Sequence, residues 1–242
     1  MVASTPETKD TMSARILIVY GSQTKSCERI VKKTLTAKFQ ELGSVDVFEG
    51  NTLMHETEDL HSLATKYDAL IVCTSSFGDG DPPDNYNEFL LKLLQAVEEG
   101  GKPLAGLQHA VLGEGSSVYQ ETFQNCPRLT DKYLEECGSR RFLARHETDV
   151  GGEEEEQISR TAFRDGVIAV LKAGLPAPDS PPAAEWSKPR ASHTEPTNQI
   201  KPKTVAELGG GRSQTWAQIL VPATVAMVAI STYVYTNYFM EE

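Results

Sequence analysis

No C-x-x-C pair occurs in this 242-residue chain. Its four cysteines (Cys27, Cys73, Cys126 and Cys137) are too sparse for a disulfide scaffold or a zinc ribbon. A reducing cytosolic setting is expected. Positive charge is also in short supply: 23 basic residues stand against 34 acidic ones, a formal net charge of −11. Nucleic-acid binding needs a basic face to pair with phosphates, so no nucleic-acid partner is expected. The acidity instead suits a basic protein partner or a redox partner with a positive docking face. The five histidines (His55, His61, His109, His146 and His193) show no ligand spacing, and no metal site is expected. The opening MVASTPETKDTMSAR has no apolar core, so a signal peptide is not expected. No internal repeat is visible. What remains is a composition that builds a core, 39% hydrophobic and 24% charged, over a length suited to one or two domains.

The charge is uneven along the chain. Residues 1–175 carry 18 basic and 28 acidic residues, and residues 176–242 carry 5 and 6. Composition shifts at the same place. From Pro176 to Thr215 the chain holds seven of its thirteen prolines and a triple glycine, with almost no apolar periodicity. That reads as a flexible, partly polyproline linker with a reach of roughly 35 Å. Residues 216–240, WAQILVPATVAMVAISTYVYTNYFM, contain no charged side chain. An uncharged run of this length crosses a hydrocarbon layer of roughly 30 Å as a helix. Trp216, Tyr235, Tyr238 and Phe239 suit the interfacial belts. Lys201, Lys203 and Arg212 precede the run, and only Glu241 and Glu242 follow it. The positive-inside rule then keeps the front part cytosolic. The expected arrangement is a disordered N-terminus over 1–13, a globular domain over 14–175, a linker over 176–215 and a single-pass tail anchor over 216–240. The acidic end favours the endoplasmic reticulum over the mitochondrial outer membrane.

The front part alternates strand and helix. Continuous apolar runs at Arg15–Tyr20, Ala69–Thr74 and His109–Leu112 predict strands buried on both faces. Val45–Phe48 and Arg141–Ala144 are shorter strand candidates. Helices are predicted over Ser26–Gln40, Leu60–Thr65, Asn87–Glu98, Cys126–Cys137 and Glu154–Leu171. Five strands alternating with helices imply an α/β fold with a doubly wound parallel sheet. Ligands of such sheets sit at the carboxyl ends of the strands, where strand order reverses.

The residues after the strands carry the chemistry. Gly21-Ser22-Gln23-Thr24-Lys25-Ser26 follows the first strand and opens a helix. Hydroxyls and outward backbone N–H groups there make a phosphate cradle. It is neither a Walker loop nor G-x-G-x-x-G. Ser75 to Asn85, SSFGDGDPPDN, follows the third strand as a rigid loop with an aromatic at its tip. Gly113 to Tyr119 follows the fourth and offers a second aromatic. Two aromatics on neighbouring loops can sandwich a flat ring.

YGSQTKSCE is similar to the SQTGT-type phosphate loop of flavodoxin domains. SSFGDGDPPDN resembles the ST(Y/F)GxGDPPDN loop, and VLGEGSSVYQETF the GLG-(D/N)-x-x-Y loop. LTDKYLEECGSRRFL looks like the family's LDKRLEELGAKRL helix and strand. The likeness covers about residues 13–175 and is closest to the FMN domain of diflavin reductases. It implies a flavodoxin-like fold and noncovalent FMN. Ser22, Gln23, Thr24, Lys25 and Ser26 would surround the phosphate. Ser75, Ser76, Phe77 and Gly78 would line one side of the isoalloxazine. Leu112, Gly113, Glu114, Gly115, Ser116, Ser117 and Tyr119 would line the other, with Phe77 and Tyr119 as stacking rings. Asp79, Asp81 and Glu114 would lower the flavin potential and steer a basic partner.

Lys25 stands where the family has glycine, Ser26 where it has threonine, and Val118 removes a hydrogen-bonding side chain. Taken with the apolar run at 216–240, the resemblance leads to the expectation of a membrane-tethered electron carrier. It would take electrons from a separate NAD(P)H-dependent reductase and pass them to a membrane-bound haem or iron protein. Two other readings stand beside it: a flavin-free, flavodoxin-like interaction module, and a flavodoxin-like quinone reductase.

Overall fold

The structure is a computed structural model and describes residues 13–57 and 59–185. Strands β1 (Ala14–Gly21), β2 (Gly43–Glu49), β3 (Ala69–Ser75) and β4 (Gln108–Gly115) form a parallel sheet with β5 (Arg140–Arg141) and β6 (His146–Asp149). The order is β2-β1-β3-β4-β5, with β6 also pairing to β4. Helices α1 (Ser26–Ile30), α2 (Thr36–Gln40), α3 (Gly50–Glu56), α4 (Leu60–Lys66), α5 (Asn87–Glu98), α6 (Asn125–Glu136) and α7 (Glu153–Ala173) cover both faces.

Period-two alternation in the central strands divides the interior into two cores. Leu17 and Val19 of β1, Leu70 and Val72 of β3, and Val111 of β4 face α3 to α6. Ile16, Ile18, Ala69, Ile71, Ala110 and Leu112 face α1, α2 and α7. Both sides are dry, which is why these strands read as continuous apolar runs. Asp59 caps α4, its side chain accepting from Ser62 N at 2.8 Å. The helix expected over 26–40 is present, but its middle, Val31–Leu35, is a π-helical turn. Helix α3 had no counterpart among the predicted elements.

The fifth strand differs from expectation. Arg141–Ala144 does not run as one strand; the edge is split into β5 and β6, and both pair with β4. The interruption surrounds a buried ion cluster. Arg145, 1% exposed, donates to Asp131 Oδ2 at 2.6 Å and to Glu147 Oε1 at 3.1 Å. Arg141 Nε reaches Asp131 Oδ1 at 2.9 Å, and His109 Nε2 lies 3.2 Å from the same oxygen. Burial alone would raise the Asp131 carboxyl. Bonds from His109 and Arg141 and the Arg145 charge outweigh burial and hold it down at about 2.

Residues 176–185, the start of the expected flexible linker, lie along this edge. Gln108 Nε2 donates to Pro176 O at 3.0 Å, Ala183 N to Arg141 O at 2.9 Å, and Arg145 N to Glu185 O at 3.2 Å. Arg140 donates to Ala177 O. The rest of that linker, the apolar run at 216–240 and residues 1–12 fall outside the described residues. Among the described residues no helix is long and apolar enough to cross a membrane.

Candidate functional site

β1, β3 and β4 end level with one another. Gly21 stands opposite Thr74, and Ser75 opposite Glu114. The chain leaves β1 toward β2 and leaves β3 toward β4, so strand order reverses between β1 and β3. The loops after β1, β3 and β4 therefore border the crevice in which such sheets hold ligands. Gly21 is required at the end of β1: a Cβ there would sit 2.5 Å from the Tyr86 side chain.

The first loop is fastened to the third-strand loop. Ser22 N donates to Asn85 Oδ1 at 2.9 Å. The Gln23 carboxamide pairs with Asp84, giving Nε2–H to Oδ2 at 3.2 Å and accepting from Asp84 N at 3.0 Å. Ser22 Oγ accepts from Cys27 N at 3.2 Å, which fixes the turn into α1. Asp84 and Asn85 are thus scaffold residues, absent from the predicted site. Their adjacency at the end of the double-proline loop was the available signal. Lys25 adopts φ 63° and ψ 15°, the left-handed region. The glycine that the family places here suits that geometry; a lysine costs about 1–2 kcal/mol in backbone energy.

The second loop is a closed hairpin tip. Phe77 and Asp81 exchange backbone hydrogen bonds of 2.8 Å in both directions. Gly78 at φ 53° lies between them. Ser76 Oγ accepts from Cys126 N at 3.0 Å, and Asn125 Nδ2 donates to Gly80 O at 2.9 Å. These bonds anchor the loop to the start of α6.

The third loop continues from β4 into a 3-10 turn, Ser117–Thr122. Ser117 N donates to Asp149 Oδ1 at 2.8 Å. Two predicted residues turn elsewhere. The Leu112 side chain is fully buried in the core below, so only its backbone is available to a ligand. Glu114 does not contribute free negative charge to the crevice. Its carboxyl is buried, 2% exposed, and bound by the Arg160 guanidinium of α7, Nε to Oε1 at 3.1 Å. Burial pushes the Glu114 carboxyl up, and Arg160 opposes the shift. Arg160 was not anticipated, because sequence spacing gives no sign that α7 reaches the end of β4. Asp79 and Asp81 remain on the crevice loop.

The donor set fits a flat aromatic cofactor with an anionic tail. Phe77 is 51% exposed and Tyr119 67%, although both are large apolar rings on rigidly held loops. Rings this bare at two adjacent strand ends are what a bound aromatic ligand would cover. Ser22 to Ser26 supply hydroxyls and backbone N–H groups at the end of β1, suited to a phosphate. Fold and site together define a doubly wound, flavin-type nucleotide-cofactor domain.

The flavodoxin family profile matches residues 18–163. The bifunctional cytochrome P450/NADPH–P450 reductase 1 of Bacillus subtilis is 33% identical over 161 residues, which is 66% of this chain and 14% of that protein. The NADPH–cytochrome P450 reductase of Homo sapiens is 30% identical over 144 residues, 59% of this chain and 20% of that one. The structure of a Streptococcus pneumoniae TIGR4 flavodoxin superposes with a TM-score of 0.51 at 26% identity, covering 64% of this chain and 97% of that one. The chain belongs to the flavodoxin family, and its cofactor is FMN. It spans 14% and 20% of the two reductases, so their full activities do not transfer to it by likeness alone.

Proposed function

We propose that this chain is an FMN electron-transfer module that receives electrons from a reductase and delivers them to a second redox protein. The observation that carries the reading is the pair of bare rings, Phe77 and Tyr119, at adjacent strand ends of the switch-point crevice. When bound, FMN supplies one-electron and two-electron redox chemistry.

The chain's own residues bind, orient and shield. Ser22 to Ser26 hold the phosphate, and Gln23 keeps that loop in register through Asp84. Phe77 and Tyr119 stack on the ring system and exclude water from its faces. Gly78 sits at positive φ with nothing within 4 Å of a built Cβ. A glycine here tolerates a peptide turned toward the ring edge, where its carbonyl would accept a hydrogen bond from a ring N–H. Asp79 and Asp81 place negative charge beside the ring and guide a basic partner.

The relatives named above combine NADPH and P450 in their names, which supports a reductase as donor and a haem protein as acceptor. Tethering through residues 216–240, with the domain on the cytosolic side, would hold donor and acceptor within a linker's reach. A visible spectrum of the purified full chain, before and after FMN is added, tests the core of the proposal. A flavin absorption that follows the protein supports it. A protein that stays colourless after FMN addition and gel filtration overturns it.

A further inference from the structure

Arg160 of α7 holds the third crevice loop from two directions. Its Nε donates to Glu114 Oε1 at 3.1 Å and its Nη2 to Glu114 Oε2, a forked pairing at the end of β4. Its Nη1 lies 2.9 Å from Glu156 Oε2. Glu156 Oε1 in turn accepts from Gly151 N at 2.8 Å, in the turn that follows β6. That turn is stitched to the same loop: Val150 N donates to Gly115 O at 2.6 Å, and Ser117 N to Asp149 Oδ1 at 2.8 Å. One guanidinium thus braces the loop through Glu114 on one side and through Glu156 on the other.

Glu114 lies between Gly113 and Gly115, which have no side chain to fix the backbone, so its carboxylate is the handle of that stretch. In the GLG-(D/N)-x-x-Y pattern that the loop resembles, leucine fills this place. A leucine needs no polar partner there, whereas a buried carboxylate does. Beside it in the sheet is Ser75, at the start of the loop that carries Phe77. Glu114 therefore stands at the base of the crevice between the two ring-bearing loops, and its charge bears on any electron placed there.

We propose that Arg160 is a positioning residue for the flavin, acting through Glu114: its fork fixes the backbone of Gly113 to Gly115 and keeps the carboxylate paired. The inference rests on the FMN reading. Besides Arg160, the groups that face Glu114 are Glu156 of α7, the Thr148 hydroxyl of β6 and the Cys73 thiol of β3. Cys73 stays protonated, held up by its bond to Cys27 and by burial. Without Arg160, Glu114 would be an unpaired charge at high pH and neutral at low pH, since burial already pushes its carboxyl up.

The test uses the full chain, stripped of flavin and reloaded, as wild type, Arg160→Gln, Arg160→Lys and the double variant Glu114→Leu/Arg160→Gln. Circular dichroism melting checks that each folds. FMN affinity is read by fluorescence titration, and the midpoint potential of the bound flavin by spectroelectrochemistry at a series of pH values. Arg160→Gln is expected to lose about tenfold in FMN affinity. Its potential falls below wild type at the alkaline end, where Glu114 is left charged, and the gap closes toward the acid end. The double variant closes the gap at every pH, because no buried charge remains at position 114. Lysine keeps the charge but not the fork, so Arg160→Lys holds the wild-type potential and loses several-fold in affinity. Three results each overturn the proposal and leave the FMN reading intact: wild-type FMN affinity in Arg160→Lys, a wild-type potential at every pH in Arg160→Gln, or a gap that persists in the double variant. If Arg160→Gln does not fold, Arg160→Lys decides by the first of these. A wild-type chain that binds no FMN overturns the FMN reading and this inference with it.

Discussion

Three residues other than glycine hold positive φ among the described residues: Lys25, Gln120 and Gln124. One lies in the phosphate loop, and the other two follow β4. Strain of this kind persists where surrounding contacts over-determine the backbone, and it gathers at binding sites. Lys25→Gly relieves it, so thermal unfolding of that variant is expected to move upward by an amount matching about 1 kcal/mol. Tyr119→Ala and Phe77→Ala each remove a ring proposed to stack on the flavin without touching the core, since both rings are mostly exposed. Each should weaken FMN by about tenfold or more at unchanged melting temperature, measured by fluorescence titration against calorimetry. Equal affinity in both variants would take the rings out of the site. At this scale the sequence marked the loops at the strand ends and was silent about what supports them. SSFGDGDPPDN pointed to the tip loop directly. That Asn85 receives Ser22 N, or that Arg160 neutralises Glu114, depends on residues 63 and 46 positions apart in the chain.

At the element scale, the strands that flank the site were legible because burial on both faces writes itself as an unbroken apolar run. Helix α3 was not. Its seven residues, GNTLMHE, open on glycine, and what fixes it is tertiary: Asn51 Nδ2 donates to Asp84 O at 2.9 Å, and Asn51 Oδ1 accepts from Glu88 N at 3.0 Å. The division of the fifth strand was equally hidden, since it follows from where Arg145 finds its carboxylates. Asp59→Ala removes the only side-chain cap of α4 seen in the structure and is expected to cost about 1 kcal/mol in denaturant unfolding. Asp131→Asn strips the charge that faces Arg141 and Arg145 inside the protein. Breaking a buried pair in this way costs about 3–5 kcal/mol, and the same titration reads it.

At the scale of the whole molecule, the buried cluster sets the response to acid. Burial lowers the His109 imidazole from its ordinary 6.5, although Asp131 opposes the shift. The folded state therefore resists protonating His109, and its contribution is complete above 6.5 and declines as pH falls below it. Asp131 is depressed from 3.8 to about 2, so its contribution is full above 3.8 and is lost between those two values. Stability is thus expected to fall in two stages on acidification. Replacing His109 with glutamine should remove the upper stage and keep the lower, as followed by urea unfolding at a series of pH values. A single stage at the lower values in wild type would show that His109 plays no part.

The packing of residues 176–185 against β5 has a practical meaning for how the protein behaves in concentrated solution. An uncovered outer strand is a template on which a neighbouring molecule adds its own backbone. Here Ala183 and Glu185 already occupy the hydrogen-bonding positions of Arg141 and Arg145. A chain cut after residue 175 would keep its cofactor crevice and lose this guard. Its light scattering should climb with concentration while that of a chain cut after residue 185 stays flat, so the ten residues that look like spacer are expected to act as a safeguard against self-assembly.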